Sequence, residues 1–462
     1  MESVYFAVQF GIVILILWLF FSKNGAAKDP FSVLVPFFAF FILTYVVRSI
    51  DLYYGRTLIF GGSLEGDIGR LLFISLLALG GLSSLALGFV SLKNIGQGSL
   101  ARLNSVVILP KRVLAVHLVF LLMGAVSIVT LVVKANTNPL DYISELNYYR
   151  LNVNNDVGYL KFILNLCGIS GVLYFAIATA SKRKVSWFLI LLPFAINFLF
   201  AHRHFAVYYI FSLITVHHYL KKRIPSYKVF LIAFFVFTLN GVFSVWRDFN
   251  YQFPERALNI SEIFAQYSEK SSIFDVVFMT TYLTSFHGVD SVDKIMQAIE
   301  DGADFHYGYR FLLEPIAGAI PYSVWRDKPI PLNAAVNNLM NQTEIDFYDP
   351  TERAGGVVGT VLGDLYWAGG ITGIMVGMFI IGVLFRLSYR LAHSKGGFAI
   401  FAYSIYYPVL FMFISTIGSG IIRLFYFSIV IYIMYRIVRV PRKRFPREHL
   451  PNRIDSPAQP GS

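Results

Sequence analysis

This chain has very little charge and almost no cysteine for its length. Only 14% of its 462 residues are charged, whereas soluble domains carry about 25%. With 56% hydrophobic residues and a mean hydropathy of +0.61, a multi-pass membrane protein is the class that fits. The single cysteine, Cys167, has no partner in the chain, so internal disulfides are excluded.

Motifs of several soluble enzyme classes are missing as well. The sequence contains no HExxH motif, no His/Cys cluster and no Walker loop, which argues against a zinc protease and an ATPase. It also has no GxSxG elbow, so a serine hydrolase is not expected. We expect no essential metal and no cofactor.

Long apolar runs dominate what is present. Runs of about 17 to 25 apolar residues predict spans, and we expect about 11 of them in an all-α polytopic protein, within a range of 10 to 14. Loops rich in Lys and Arg separate alternate spans, which places the N-terminus outside and the C-terminus inside. The predicted spans are 3–22, 30–47, 68–90, 113–133, 159–180, 186–201, 204–219, 229–246, 368–389, 397–416 and 420–438.

Four regions follow from this pattern. They are an N-terminal bundle of about eight spans at 1–246 with an outer loop at 135–158, one large extracytoplasmic loop at 247–354, C-terminal membrane helices at 355–438, and a basic cytoplasmic tail at 439–462. A loop this long without structure would be unusual, so short helices are expected in it. Segment 355–367 is a further candidate for membrane entry.

The large loop is the acidic part of a basic protein. Residues 247–353 hold 16 acidic and 8 basic residues, a net charge of −8, while the rest of the chain carries +20. Cytoplasmic loops gather Lys and Arg, so the acidic loop is expected on the opposite side of the membrane. The same rule explains the overall charge of +12, and nucleic acid is not expected as a partner.

Arginines at the predicted outer membrane edge are the first candidate functional residues. Arg203 lies between two short apolar segments, and Arg150, Arg247 and Arg423 fall at a similar predicted depth. A bare cation at this depth is costly, so it usually faces the bundle interior or an anion. Several guanidinium groups at one depth would suit a pyrophosphate. Snorkelling to the interface is the alternative for each arginine.

Two histidines and a glycine-rich segment are the next candidates. His287 and His306 lie in the large loop, and histidine serves as a general base near neutral pH. An ordinary polar role is the alternative for both. The glycines between residues 355 and 373 permit close helix packing, or a broken, re-entrant backbone beside a cavity.

Two segments of the C-terminal half resemble a known family. Residues 311–315 (FLLEP) and 320–329 (IPYSVWRDKP) resemble a signature of bacterial oligosaccharide repeat-unit polymerases, the Wzy-type O-antigen polymerases. Residues 359–373 resemble the entry to a late span of that family, with Asp364 where glutamate is more usual. Arg203 matches the family's arginine between two mid-chain spans.

The resemblance implies a glycosyltransferase similar in fold to the GT-C class, in the bacterial inner membrane with its active site facing the periplasm. It would polymerise repeat units carried on undecaprenyl pyrophosphate into O-antigen or a similar surface polysaccharide. The growing chain would move from its lipid carrier onto an incoming lipid-linked unit, without metal, ATP or nucleotide sugar. The implied partners are the lipid-linked glycan donor and acceptor, membrane lipid and a chain-length regulator protein.

This chemistry requires charge stabilisation on the leaving pyrophosphate and removal of the acceptor's hydroxyl proton. The predicted pyrophosphate ligands are Arg150, Arg203, Arg247, Arg310 and Lys328. The predicted alternatives for the catalytic base are His287, His306 and Asp364. Sugar binding is predicted for Tyr309, Trp325 and Tyr366, and interfacial anchoring is the alternative for such aromatic residues.

Other functions share part of this pattern. An O-antigen ligase uses the same donor and a similar topology. A flippase or transporter for lipid-linked oligosaccharide would usually show repeated halves and charges at mid-membrane, and neither is clear in this chain. A membrane scaffold or chain-length regulator would not need so many spans. Polymerase is the preferred hypothesis.

Overall fold

The computed structural model describes residues 1–21, 29–55, 67–91, 107–139, 158–200, 203–229, 288–320, 327–330, 332–341, 359–394 and 396–440, with a few isolated positions between them. Regular structure in these ranges is helical apart from one two-residue ladder, in which β1 (Val107–Ile108) pairs antiparallel with β2 (Arg439–Val440). The first seven helices are α1 (Glu2–Phe21), α2 (Leu34–Tyr53, with a π-helical segment at Ile42–Val47), α3 (Ile68–Ser91), α4 (Pro110–Lys134), α5 (Gly158–Ala180), α6 (Trp187–Phe200) and α7 (Arg203–Leu220). The remaining helices are α8 (Gly288–Glu300), α9 (Tyr309–Ala319), α10 (Leu332–Asn341), α11 (Thr360–Ala392), α12 (Gly397–Phe411) and α13 (Ile417–Val438).

Seven helices in the described part of the chain are long and apolar enough to cross a membrane. The protein is therefore an all-helical polytopic membrane protein, with α1, α2, α3, α4, α5, α11 and α13 as its candidate spans. The predicted spans 186–201, 204–219 and 397–416 correspond to the shorter apolar helices α6, α7 and α12. Predicted span 229–246 lies mostly outside the described residues, so the total of about 11 stays a prediction.

The helices pack closely where glycine removes the side chain. A Cβ on Gly88 of α3 would stand 2.1 Å from the carbonyl oxygen of Phe379, and one on Gly382 of α11 would stand 2.1 Å from that of Leu85. Small residues let two membrane helices bring their backbones together in this way. The backbones of α3 and α11 are thus in close contact.

The described connections gather at two ends of the bundle. Residues 29–33, 217–224 and 389–398 meet at one end, where His218 and His393 both approach Asp29; we call it the basic end, because Lys221, Lys222 and Arg390 lie there. Residues 48–53, 67–70, 288–320 and 412–418 meet at the other, the loop-helix end. This is the grouping of loops that the predicted alternation of sides requires.

The large loop does contain short helices, α8, α9 and α10. Two ion pairs tie α8 to the spans. The guanidinium of Arg48 in α2 donates to both oxygens of Asp290 at 2.9 and 3.0 Å, with both side chains buried. Arg70 of α3 donates to Asp293 and, at 3.1 Å, to Glu300. The loop is therefore anchored inside the bundle and does not only cover it.

Helix α11 is broken into two halves at Gly369 and Gly370, which have non-helical backbone angles. Gly370 has a φ of 62°, a left-handed conformation that favours glycine. Beyond the break, Gly373 and Gly377 lie against Leu365, so that the half at 360–368 packs back on the half at 371–392. Both interpretations of these glycines therefore apply, the broken backbone at 369–370 and the packing at 373 and 377.

The first half of α11 is a re-entrant segment. At its start, Thr360 and the N–H of Leu362 bond the hydroxyl of Tyr45 in α2, at 3.0 and 3.1 Å. Leu362 also lies against Gly81, near the middle of α3. At its other end, Trp367 contacts the loop residues before α9. The segment therefore runs from inside the bundle out to the loop-helix end, and the spanning half begins after the break.

Candidate functional site

Five side chains form a polar group at the loop-helix end, which we call the outer cluster: His306, Arg310, Glu314, Asp364 and Trp367. Backbone contacts hold the turn before α9 against the re-entrant half of α11. The N–H of His306 donates to the carbonyl of Trp367 at 3.1 Å, and the Trp367 indole donates to the carbonyl of Asp304 at 2.9 Å. Helix α9 then lies along the beginning of α13, where Tyr426 donates to the carbonyl of Pro315 at 2.9 Å.

His306 is buried among aromatic rings. Its ring packs edge-on against Trp367 and Phe311, both with centroids 5.1 Å away. Nδ1 accepts the N–H of Gly308 at 3.1 Å, so the neutral ring carries its proton on Nε2, which faces the Asp364 carbonyl without close hydrogen-bond geometry. Burial, with help from Arg310, lowers the pKa of His306 to about 4. Such a ring has no free acceptor for a hydroxyl proton, which favours a positioning role over the predicted base.

Asp364 lies at the beginning of α13. It is 1% exposed, and its Oδ2 accepts the N–H of Ile417 at 2.8 Å. The N–H of Gly418 and the hydroxyl of Thr416 face the same carboxylate, although Oδ1 makes no close hydrogen bond. A carboxylate at a helix N-terminus satisfies free amides and complements the helix dipole. Its burial is therefore explained by a capping role.

Arg310 is the cation of the outer cluster. Its guanidinium lies over the Trp367 ring, with 5.1 Å from Cζ to the ring centroid. Nε and Nη1 are buried and have no hydrogen-bond partner within the described part of the chain. Buried donors without partners are costly, and a phosphate oxygen is a preferred acceptor for guanidinium. The geometry thus supports the predicted pyrophosphate role.

Glu314 was missed by the sequence analysis, although it lies inside the FLLEP segment. It follows Arg310 by one helical turn and is 9% exposed. Oε1 accepts the N–H of Leu332, the first residue of α10, at 2.9 Å, while Oε2 has no partner in the described part. Burial raises the pKa of Glu314, although the Leu332 N–H and Arg310 oppose the shift. The available signal was a lone acid four residues after an arginine in an apolar segment.

The other predicted residues of the C-terminal half have different surroundings. Lys328 donates to the carbonyls of Ala317 and Ile320 at 3.4 and 2.9 Å, at the end of α9, and burial lowers its pKa. Tyr309 is half exposed beside His306, and Tyr366 lies beside Phe305. Trp325 is partly buried. Lys328 therefore holds the end of a helix, whereas the two tyrosines border the outer cluster.

Arg423 of α13 lies near the beginning of α7. It donates to the hydroxyl of Tyr208, and its Cζ lies 5.5 Å from the ring centroid of Phe205. Helix α7 begins at Arg203, so these contacts bring Arg423 to the Arg203 end of α7. The Arg203 side chain, Arg150, Arg247 and His287 lie outside the described residues.

A small, mainly apolar cavity lies beside Tyr208, between α5, α6, α7, α12 and α13. Asn165 and Asn197 line it. The amide nitrogen of Asn197 donates to the carbonyls of Leu164 and Pro193 at 3.2 and 2.8 Å, whereas the amide oxygens of both asparagines have no partner in the described part. The cavity therefore offers acceptors to a hydroxyl group or to water.

The described residues contain no group of three or more His, Cys, Asp or Glu that could hold a metal ion, and the absence of a metal and a cofactor stays a prediction. No family model matches this chain, and no similar curated protein or solved structure was found.

Proposed function

We propose that the protein is a metal-independent glycosyltransferase that polymerises repeat units linked to undecaprenyl pyrophosphate. The loop-helix end would face the periplasm across the bacterial inner membrane, and the architecture would be GT-C-like. The product would be O-antigen or a similar surface polysaccharide. The sequence resemblance and the acidic loop on the side opposite the basic loops support this proposal.

One observation carries most of the proposal: the outer cluster buries cationic nitrogens that have no hydrogen-bond partner among the described residues. Arg310 is held in place by Trp367, while Nε and Nη1 stay unpaired. Donors fixed in advance where charge develops are the main source of transition-state stabilisation for an anionic leaving group. A pyrophosphate bound there would satisfy the guanidinium and leave with its negative charge stabilised.

The other arginines extend this anion site toward the membrane. Arg423 lies at the Arg203 end of α7, and α9 joins α13 three residues further along through Tyr426 and Pro315. Arg203 would bind the same pyrophosphate from the beginning of α7, with Arg150 and Arg247 as further ligands. Tyr309 and Tyr366 border the outer cluster, where they would stack on sugar rings.

The test combines a deletion strain with purified protein. In the deletion strain, lipopolysaccharide should lose its long ladder and keep a single repeat unit on the core. Wild type should restore the ladder, whereas Arg203→Ala and Arg310→Ala, both checked for expression, should not. Purified wild type, given only the lipid-linked unit, should release lipid pyrophosphate and form chains of two or more units.

Rival functions give different results in the same experiments. A core without any repeat unit in the deletion strain would indicate a ligase or a flippase. Formation of product only when lipid A core is added to the purified protein would identify the ligase. An unchanged ladder, together with no turnover by the purified protein, would refute the proposed polymerisation of O-antigen units.

A further inference from the structure

The outer cluster contains a carboxylate with one oxygen fixed and the other free. Glu314 is 9% exposed. Its Oε1 is held by the N–H of Leu332 at 2.9 Å, and its Oε2 has no partner in the described part of the chain. Because Oε1 already orients the group, Oε2 remains available to accept a proton.

The free oxygen lies at the beginning of α13. A Cβ built on Gly418 would stand 2.5 Å from Oε2, so any larger residue at 418 would displace the carboxylate. Arg310 precedes Glu314 by four residues on the same helix, and such residues lie on one face. The free carboxylate oxygen and the unpaired guanidinium nitrogens are therefore neighbours in one buried site.

The three residues predicted as bases fit the role less well. Nδ1 of His306 is occupied by the N–H of Gly308. Asp364 is 1% exposed and caps α13. His287 lies outside the described residues. Oδ1 of Asp364 also makes no close hydrogen bond in the described part of the chain, but the Gly418 N–H and the Thr416 hydroxyl face this carboxylate. Glu314 differs from both described residues because it lies one helical turn from Arg310, the predicted phosphate ligand.

We propose that Glu314 is the general base that takes the proton from the acceptor hydroxyl, with Arg310 holding the departing pyrophosphate beside it. The proposal rests on the function proposed above. Oε2 would accept the hydroxyl proton as the acceptor oxygen forms its bond to the anomeric carbon of the donor chain. The bond from that carbon to the pyrophosphate oxygen breaks, and its electron pair leaves with the lipid pyrophosphate. The neutral Glu314 then returns the proton to water.

The surroundings of Glu314 suit a base that works near neutral pH. Burial raises its pKa, and the Leu332 N–H and Arg310 oppose the shift. A base with a raised pKa binds the hydroxyl proton more strongly. Turnover should therefore fall as the pH falls through the raised pKa, at a pH above the usual range for glutamate.

The experiment measures turnover of lipid-linked units by the purified full-length protein against pH. Glu314→Gln keeps an oxygen for the Leu332 N–H but removes the proton acceptor. It should lower kcat by about 10²- to 10⁴-fold, leave KM within about threefold and abolish the acid limb of the pH profile. Glu314→Asp should keep part of the activity and a displaced acid limb. Glu300→Gln is the matched control, because Glu300 belongs to the same loop but is exposed, and it should behave as wild type.

The possible results separate the two proposals. If wild type polymerises the units and Glu314→Gln keeps its kcat and its acid limb, the base assignment is wrong while the proposed function stands. If Glu314→Gln loses activity together with a large fall in melting temperature, Glu314 has a structural role, and the assignment is again overturned. If wild type itself transfers no sugar, the proposed function fails, and the base assignment fails with it.

Discussion

Each end of the bundle buries a carboxylate, and the protein surrounds the two groups differently. Asp29 at the basic end is 7% exposed and Glu314 at the loop-helix end is 9% exposed. Oδ1 of Asp29 faces the N–H of Phe31 at 3.1 Å and Nε2 of His218 at 3.5 Å, and Oδ2 accepts the hydroxyl of Tyr219. Glu314 has one backbone N–H on one oxygen, and the described part of the chain offers no partner to the other.

The directions of the pKa shifts of Asp29 and Glu314 differ because of their hydrogen-bond partners and not because of their burial, which is similar. Burial raises the pKa of both groups, but hydrogen bonds from His218 and Tyr219 leave the pKa of Asp29 below its usual range. Glu314 has fewer partners, and its pKa stays above the usual value for glutamate. Buried polar groups in native proteins are normally satisfied. The complete set of partners at Asp29 therefore indicates a structural role, whereas the set that the described residues offer Glu314 is incomplete, as the proposed base requires.

The largest effect should come from breaking the satisfied ion pair of the loop-helix end. Arg48→Met leaves Asp290 buried without its partner, and such a change costs about 3–5 kcal/mol of stability. The double variant Arg48→Met/Asp290→Asn should recover most of it, because no buried charge remains. Thermal unfolding of the purified protein in detergent measures both. A single variant as stable as wild type would show that α8 is not anchored by this pair.

Arg310→Ala should lower kcat/KM by about 10²- to 10³-fold, which corresponds to about 2.7–4 kcal/mol of transition-state stabilisation. Arg310→Lys should restore little of it, because an ammonium group does not reproduce the planar guanidinium stacked on Trp367. Stability should not fall, since Nε and Nη1 make no hydrogen bond in the described part. A lower melting temperature together with normal turnover would show that Arg310 has a structural role and does not bind the pyrophosphate.

Asp29→Asn and Glu314→Gln should change stability in opposite directions. The folded-state pKa of Asp29 is lowered, so its stabilisation is present above the unfolded-state pKa and is lost as the pH falls through the folded-state value. Asp29→Asn should therefore cost about 2 kcal/mol at pH 7, and the difference from wild type should vanish in acid. The folded-state pKa of Glu314 is raised, so its contribution is favourable only at low pH and is lost as the pH rises through that value.

Glu314→Gln should consequently be at least as stable as wild type at pH 7. Melting temperatures of both variants between pH 4 and pH 8 test this contrast. Equal losses of stability at pH 7 would mean that both carboxylates stabilise the fold, and that the two ends of the bundle do not differ in this respect.

Lys328→Gln should have the smallest effect. Its ammonium group donates to two carbonyls at the end of α9, so its removal should cost about 1 kcal/mol and change kcat by less than about twofold. A loss of turnover as large as that of Arg310→Ala would show that Lys328 binds pyrophosphate, as the sequence predicts. Turnover and melting temperature measured on one preparation distinguish these outcomes.

The sequence was sufficient to predict those structural features that depend on residues close together in the chain. Apolar runs of span length and cations in alternate loops predicted the helices, and the glycines at 369–370 allowed for a broken backbone. The roles of Asp364 and Glu314 depended on Ile417 and Leu332, which are 53 and 18 residues away. A pattern in one segment does not show which distant amide its carboxylate meets. The satisfied environment of Asp29, built from three separate helix ends, was not predictable for the same reason.

The break at Gly369 and Gly370 also bears on how the sequence sets the orientation of the protein in the membrane. The half-helix at 360–368 runs from inside the bundle out to the loop-helix end, where the spanning half begins, so it adds no crossing of its own. The cations of the loops can then fix which terminus lies on which side, while the half-helix places Asp364 and Trp367 in the outer cluster without adding a span. Orientation and the construction of the outer cluster are thus specified by different residues.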